Sequence, residues 1–186
     1  MEPAQLMVEI ERHHLAGYGW ALSCCSRNHD EAQDVLQTVY LKILQGRARY
    51  NGRAAFKTWL FAVIRRTAAD ERRRWFFRRI KLLAYKLDAQ AESSHPDFSL
   101  PHDSSALEEF CKQALGKLPR RQREVLQLVF YHDHSLAEAA EIMGVGLGSA
   151  RTHYERGKRR IREWMSKAEM TDEYEWIGKR DPTTVS

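Results

Sequence analysis

The 186 residues include 43% hydrophobic residues but only 10 glycines and 5 prolines, which suits one helical domain or two small ones with real cores. Thirty Lys and Arg against 25 Asp and Glu leave a formal charge of +5, so the placement of the basic residues matters more than their sum. Three cysteines (Cys24, Cys25, Cys111) without a C-x-x-C pair argue against a disulfide framework, and a zinc site would need scattered histidines as further ligands. The thiols read as small core residues. No apolar run is long enough to span a bilayer and no signal peptide opens the chain, so a cytoplasmic protein with no membrane insertion of its own is expected.

From Pro3 to about Arg27 the pattern predicts one helix, with Leu6, Ile10, His14, Tyr18, Leu22 and Cys25 in phase. His29-Asp30-Glu31-Ala32 opens a second helix with acids in its first turn, where the helix dipole favours them. Val35, Leu36, Val39, Tyr40, Ile43 and Leu44 form its apolar face, and Asp34, Gln37, Thr38, Leu41 and Lys42 lie opposite. Gly46 ends it, and Asn51-Gly52 signals a turn within the loop Arg47 to Arg53. A longer helix runs from about Ala55 towards Lys81, with Phe56, Leu60, Val63, Ile64 and Thr67 facing a core. Its remaining aromatics, Trp59, Phe61, Trp75, Phe76 and Phe77, are interleaved with lysines and arginines. Cations beside exposed rings form a surface for single-stranded nucleic acid, and ordinary core packing of the rings is the competing reading.

Asp88 to Ser105 holds two prolines, four acids and no Lys or Arg, the composition of a flexible acidic linker. Leu107 to Leu118 reads as an amphipathic helix broken by Pro119, and Arg121 to Tyr131 follows with Val125, Leu126, Val129 and Phe130 buried. Ser135 and Glu138 form a capping box ahead of Leu136, Ala139, Ala140 and Met143 on one face, and Gly144 supplies the stop. Three residues later a second helix begins, with Ala150, Tyr154, Gly157, Ile161 and Met165 as its buried stripe. Arg151, Thr152, Glu155, Arg156, Lys158, Arg159 and Arg162 make its polar face. Two helices joined by a glycine-bearing turn, the second long and basic on one side, read as a DNA-binding helix-turn-helix rather than a merely solvated hairpin.

The expected architecture is therefore all-α: two small helical domains on a flexible acidic linker, the C-terminal one a helix-turn-helix, with no fixed relative orientation. The boundaries are residues 1–87, a linker 88–106, residues 107–168, and a frayed polar tail 169–186. No internal repeat relates the halves. An enzyme would have to use His132-Asp133-His134 with His29 or Cys24. Those histidines sit at a helix–helix turn, and no Gly-rich phosphate loop or nucleophile elbow is present, so neither catalysis nor a metal or other cofactor is expected. A helix-turn-helix regulator of the response-regulator output type is the nearer rival. The basic–aromatic helix, and the lack of alternating strands and helices in the N-terminal half, weigh against it.

DEAQDVLQTVYLKIL resembles the second conserved region of bacterial RNA polymerase sigma factors, RYNGRAAFKTWLFAVIRRTAADERRR the promoter-melting region after it, and ALGKLPRRQREVLQLVFYHDHSLAEAAEIMGVGLGSARTHYERGKRRI their fourth region. With only these parts, the chain resembles an extracytoplasmic-function sigma factor from His14 to Met165. The resemblance implies binding to core RNA polymerase and to promoter DNA, with an anti-sigma factor holding the protein inactive. It places Asp34, Gln37, Tyr40, Leu41 and Lys42 on the polymerase clamp. It places Tyr50, Asn51, Gly52, Arg53 and Ala54 in the loop that holds a base flipped from the −10 element, with Phe56, Lys57, Thr58, Trp59, Arg65 and Arg66 on the adjoining strand-contacting helix. Arg151, Thr152, His153, Glu155 and Arg156 would enter the −35 major groove, and the acidic linker would thread towards the RNA exit channel. Thr38 departs from a usual acid, Ala62 from a usual base, Arg66 from a usual asparagine and Ala139 from a usual isoleucine. Arg66 is the departure that bears on −10 base preference.

Overall fold

The computed structural model describes residues 2–85 and 114–167, and those residues contain no strand. The linker, the tail and most of the helix expected from Leu107 lie outside the described residues. A first unit holds α1 (Pro3–Arg12), α2 (His14–Cys24), α3 (His29–Leu44) and α4 (Phe56–Tyr85). The second begins with a helical turn at 114–117 and continues through α5 (Arg120–Leu126), α6 (Leu136–Met143) and α7 (Leu147–Lys167).

The expected single N-terminal helix is two. His13 leaves helical geometry at φ −102° and ψ 7°, and the phase of the buried face is reset there. Consequently Gly17, Trp20, Ala21 and Cys24 face the core of α2, while His14 is exposed and Tyr18 and Leu22 are half-buried. The cap of α3 is Asn28, whose Oδ1 accepts from the Glu31 N–H at 3.1 Å. Val35, Leu36, Val39 and Ile43 of α3 and Leu60, Phe61 and Ile64 of α4 complete the core. Leu44, expected on the buried face of α3, is 59% exposed.

Trp20 is fully buried and is the largest side chain of this core. Its Nε1 donates to the Phe61 carbonyl at 3.1 Å, and its ring stacks on Phe61 at 5.8 Å with the planes 6° apart. Phe61 is thus a core residue and offers no platform for a base. The α2–α3 corner brings Cys24 and Cys25 inside, where burial pushes both thiols up, Cys25 to about 11. Both are protonated, poor nucleophiles at neutral pH.

In the second unit the local signals act as written. The Ser135 hydroxyl accepts from the Glu138 N–H at 3.2 Å, and the Ser135 N–H donates to Glu138 Oε2 at 2.8 Å. Gly144 ends α6 in the left-handed region at φ 63° and ψ 43°. Leu136, Ala139, Ala140 and Met143 are buried, as are Ala150, Tyr154, Gly157 and Met165 of α7. Gly157 is where α7 crosses α5, since a Cβ there would lie 2.9 Å from Leu126 Cδ1. Between α5 and α6 the chain widens into a π turn at Gln127–Tyr131, buries Leu128 and Val129, and passes through Asp133 at φ 55°. The widened turn carries His132 and His134 inward, and both are buried.

The two units are not independently oriented. α4 packs along α6 and the turn ahead of it, so the described residues share one contiguous apolar core.

Candidate nucleic-acid interface

On α7, Arg151, Thr152, Glu155 and Arg156 are exposed and together with Arg159 and Arg162 line one shallow, open concavity. The helical spacing puts Thr152, Arg156 and Arg159 opposite Ala150, Tyr154 and Gly157, which the second core buries, with Arg151, Glu155 and Arg162 along the flanks of that polar face. His153 is half-buried and stands apart from this set. Lys158, read as part of the polar face, is instead buried with its Nζ 5.0 Å from the centre of the Tyr154 ring. A long aliphatic stem can lie along an aromatic face with its charge over the ring, which periodicity alone does not reveal. What remains is four arginines with Thr152 and Glu155 on one helix face: the arginines are donors matched to guanine edges and phosphates in a major groove, and Glu155 is an acceptor matched to a cytosine amine.

The turn before α4 is built to present its tip. Tyr50 Oη donates to the Ala54 carbonyl at 2.6 Å, and Asn51 Oδ1 accepts from the Arg53 N–H at 3.1 Å. Gly52 lies at φ 74°, a conformation that side chains rarely adopt. Asn51, Gly52 and Arg53 are exposed, and Ala54 is half-buried. Behind the loop the rings of Tyr50, Phe56 and Trp59 meet with centroids 5.2 to 5.3 Å apart. Phe56 is buried and Trp59 half-buried, so these rings brace the loop from beneath.

The other α4 residues of this set divide. Arg66 is exposed. Lys57, Thr58 and Arg65 turn towards the second unit, where Thr58 Oγ1 donates to Glu138 Oε1 at 2.9 Å and Arg65 Nη2 lies 3.2 Å from Glu124 Oε2. Lys57 Nζ donates to the His132 carbonyl. The sequence marks Glu138 only as a helix cap and His132 and His134 only as the groups an enzyme would have to use, and it gives Glu124 no role; nothing within their own segments marks any of them as a partner of α4. Farther along α4, Trp75, Phe76 and Phe77 are exposed beside Arg72, Arg73, Arg74 and Arg78, whereas Trp59 and Phe61 of the same basic–aromatic set are half-buried and buried.

A third surface lies on α3. Asp34, Gln37 and Leu41 are exposed at spacings of three and four, and exposed Leu44 extends the row by one more step. The missed signal is that same spacing, which continues from Leu41 to position 44. Tyr40 and Lys42 are not in this row. Tyr40 Oη pairs with His14 Nδ1 at 3.0 Å, and Lys42 Nζ donates to buried Thr67 Oγ1 at 3.0 Å, so the two tie α3 to its neighbours. His29, the possible companion of the His132–His134 turn, pairs with Tyr18 Oη at 2.7 Å instead. Among the described residues no group of three or more His, Cys, Asp or Glu could hold a metal ion, and no helix is long and apolar enough to cross a membrane.

The sequence matches two family descriptions, Sigma-70 region 2 over residues 10–76 and Sigma-70, region 4 over residues 112–161. The RNA polymerase sigma factor CarQ of Myxococcus xanthus is 30% identical over 145 residues, 77% of this chain and 80% of that protein. SigV of Bacillus subtilis, also an RNA polymerase sigma factor, is 27% identical over 168 residues, 90% of this chain and 95% of its own. Among solved structures, the sigma factor RpoE in complex with the anti-sigma factor NepR from Bartonella quintana superposes with a TM-score of 0.63 at 26% identity. That match covers 87% of this chain and 97% of RpoE.

Proposed function

Because the chain belongs to the extracytoplasmic-function sigma factors of bacterial RNA polymerase, we propose that its three surfaces divide the work of initiation on one promoter. The exposed α3 row, Asp34, Gln37, Leu41 and Leu44, docks on the core polymerase. The basic face of α7 reads the −35 duplex. The loop Tyr50 to Ala54, with α4 from Phe56 to Arg66, captures bases of the −10 element as the strands part. The observation that carries this reading is the one-sided cluster of Arg151, Thr152, Glu155 and Arg156 with Arg159 and Arg162 on the second helix of a capped helix-turn-helix. Melting needs a separate site, because extruded bases have to be held to offset the lost pairing and stacking. The preformed turn around Asn51 and Gly52, braced by three rings, supports that assignment. Work on chromosomal promoters places the protein in the cytoplasm.

The test is run-off transcription by core polymerase with and without this chain on fragments of the host genome, followed by mapping of the start sites. Start sites that share a −35 and a −10 motif are expected, and polymerase that gains no new start sites would overturn the proposal. On a promoter so identified, substituting Asn51 and Arg53 with alanine should leave polymerase binding intact but lower permanganate reactivity of −10 thymines several-fold. Unchanged reactivity would remove the loop from strand opening.

The second part of the proposal is a sequestering partner. The Bartonella relative was solved with an anti-sigma factor, and the leucines of the α3 row suit an amphipathic helix that would exclude polymerase by occupying the same face. A pull-down of the tagged chain from uninduced host cells should recover a stoichiometric third protein, and Leu41→Asp with Leu44→Asp should release it. Recovery of the chain only free or with polymerase would instead assign control to synthesis.

A further inference from the structure

Three of the α4 residues assigned to the opened strand, Lys57, Thr58 and Arg65, are already engaged by the chain itself. Lys57, Thr58, Phe61 and Arg65 fall on one stripe of that helix, and all four meet the second unit. Thr58 is fully buried, with its hydroxyl on Glu138 Oε1. The Arg65–Glu124 ion pair leaves only 12% and 7% of the two side chains exposed. Lys57 donates to the His132 carbonyl. Hydroxyl, guanidinium and ammonium are the donors by which proteins hold phosphates, and here two carboxylates and a carbonyl occupy them. Between these polar contacts the His132 and His134 rings meet the Phe61 ring edge-on at 4.9 and 5.0 Å, and His132 also meets Trp20 at 5.8 Å. The other two surfaces stay open in the same arrangement, since Arg151, Thr152, Glu155 and Arg156 and the Asp34, Gln37 and Leu41 row are all exposed.

We propose that the helix-turn-helix unit masks the strand-opening face of α4 in the free chain, holding it with Glu138, Glu124 and the His132 turn while leaving the duplex-reading and polymerase-docking faces uncovered. The sigma factor could then dock and find duplex DNA while closed, but the opened strand reaches Lys57, Thr58 and Arg65 only after the units part. This inference rests on the assignment of those three residues to the opened strand.

The seam also reports its own state. The Nε2 atoms of His132 and His134 are buried with no hydrogen-bond partner. Burial first, and Lys57 second, push both rings down to about 4, so both are neutral at pH 7. Lys57 faces them from α4, Asp133 and Glu138 from the second unit, and the two rings face each other. Nearby Glu138 is itself held below the usual carboxylate range: burial raises it, but hydrogen bonds from Ser135 and Thr58 outweigh burial. The sign follows directly. A ring that titrates near 4 when closed and near 6.5 when open favours closure fully above pH 6.5, and loses that preference as pH falls towards 4. Each histidine weakens closure by up to about tenfold per pH unit in that window.

The experiment uses the full chain and two substitutions outside all three working surfaces. His134→Arg places a permanent cation in the seam beside Lys57, and Glu124→Gln removes the carboxylate from Arg65. Small-angle scattering at pH 7.5 should show a compact wild type and larger radii of gyration for both variants, with helicity by circular dichroism unchanged. Wild type at pH 5 should expand in the same way. Affinity for a mixed-sequence single-stranded oligonucleotide, taken as a ratio to the matching duplex, should rise about tenfold in the variants, the weight of one charge-assisted hydrogen bond. A wild type as expanded as the variants at pH 7.5 would overturn the mask whatever the function of α4. Lys57→Ala made in the opened His134→Arg background separates the remaining cases. If it lowers single-strand affinity but opening had raised none, the masking proposal falls and the assignment of α4 stands. If it changes nothing, the assignment fails and the mask, as a mask of a DNA site, fails with it.

Discussion

Trp20→Ala is expected to destabilise the first unit by about 3–5 kcal/mol, the cost of emptying a buried aromatic site that neighbours only partly refill. Trp20 is completely buried and joins three parts of the molecule, stacking on Phe61 of α4, donating to the Phe61 carbonyl and lying against His132 of the second unit. A loss of that size is a large share of the roughly 5–15 kcal/mol that holds a typical domain folded. Urea denaturation followed by far-ultraviolet circular dichroism measures it. Trp20→Phe keeps a ring on the stack but removes the Nε1 donor, and should cost less than the alanine change by at least about 1 kcal/mol. A midpoint for Trp20→Ala within experimental error of wild type would mean that the α2–α4 contact is not the centre of the core. If the α3 row docks on polymerase as proposed, docking should weaken with stability, because that row is held by the same core.

Arg151→Ala and Arg156→Ala are expected to behave in the opposite way, with stability unchanged and specificity lost. Both side chains are exposed, Arg156 on the far side of α7 from Tyr154 and Arg151 at the edge of the polar face, so the core does not depend on them. If each makes a bidentate contact to a guanine edge, its removal should cost about 1–3 kcal/mol of discrimination at a single base pair. Affinity for random duplex should change far less if the remaining arginines supply the phosphate contacts. Binding of each variant to every single-base substitution of the mapped −35 element decides it, at one fixed salt concentration. A uniform loss over all sequences, with a shallower dependence on salt, would make the two arginines phosphate contacts and move base reading to Thr152 or Glu155.

These expectations differ in how far they could be read before the fold. The helix-turn-helix was legible because its signals are local: the Ser135–Glu138 box, the left-handed Gly144 and the 3.6-residue stripe of α7 act within a few residues of one another. The exposed faces of α3 and α7 follow from the same periodicity. The phase of the N-terminal helix did not, because the break at His13 shifts the buried stripe to Trp20 and Cys24. Leu44 and Lys158 exchanged places with their expected faces for a related reason, since hydropathy assigns a type of residue to a face but not a partner to a side chain. Only the tertiary structure decided that Phe61 is core, that Tyr40 and Lys42 tie helices together, and that His132 and His134 are buried and neutral. It also decided that Lys57, Thr58 and Arg65 are held by residues 59 to 80 positions away in the chain. Local hydrogen bonds and helical period are written in neighbouring residues. Burial and charge pairing are properties of whatever surface arrives from elsewhere, and they exist only once the two units have met.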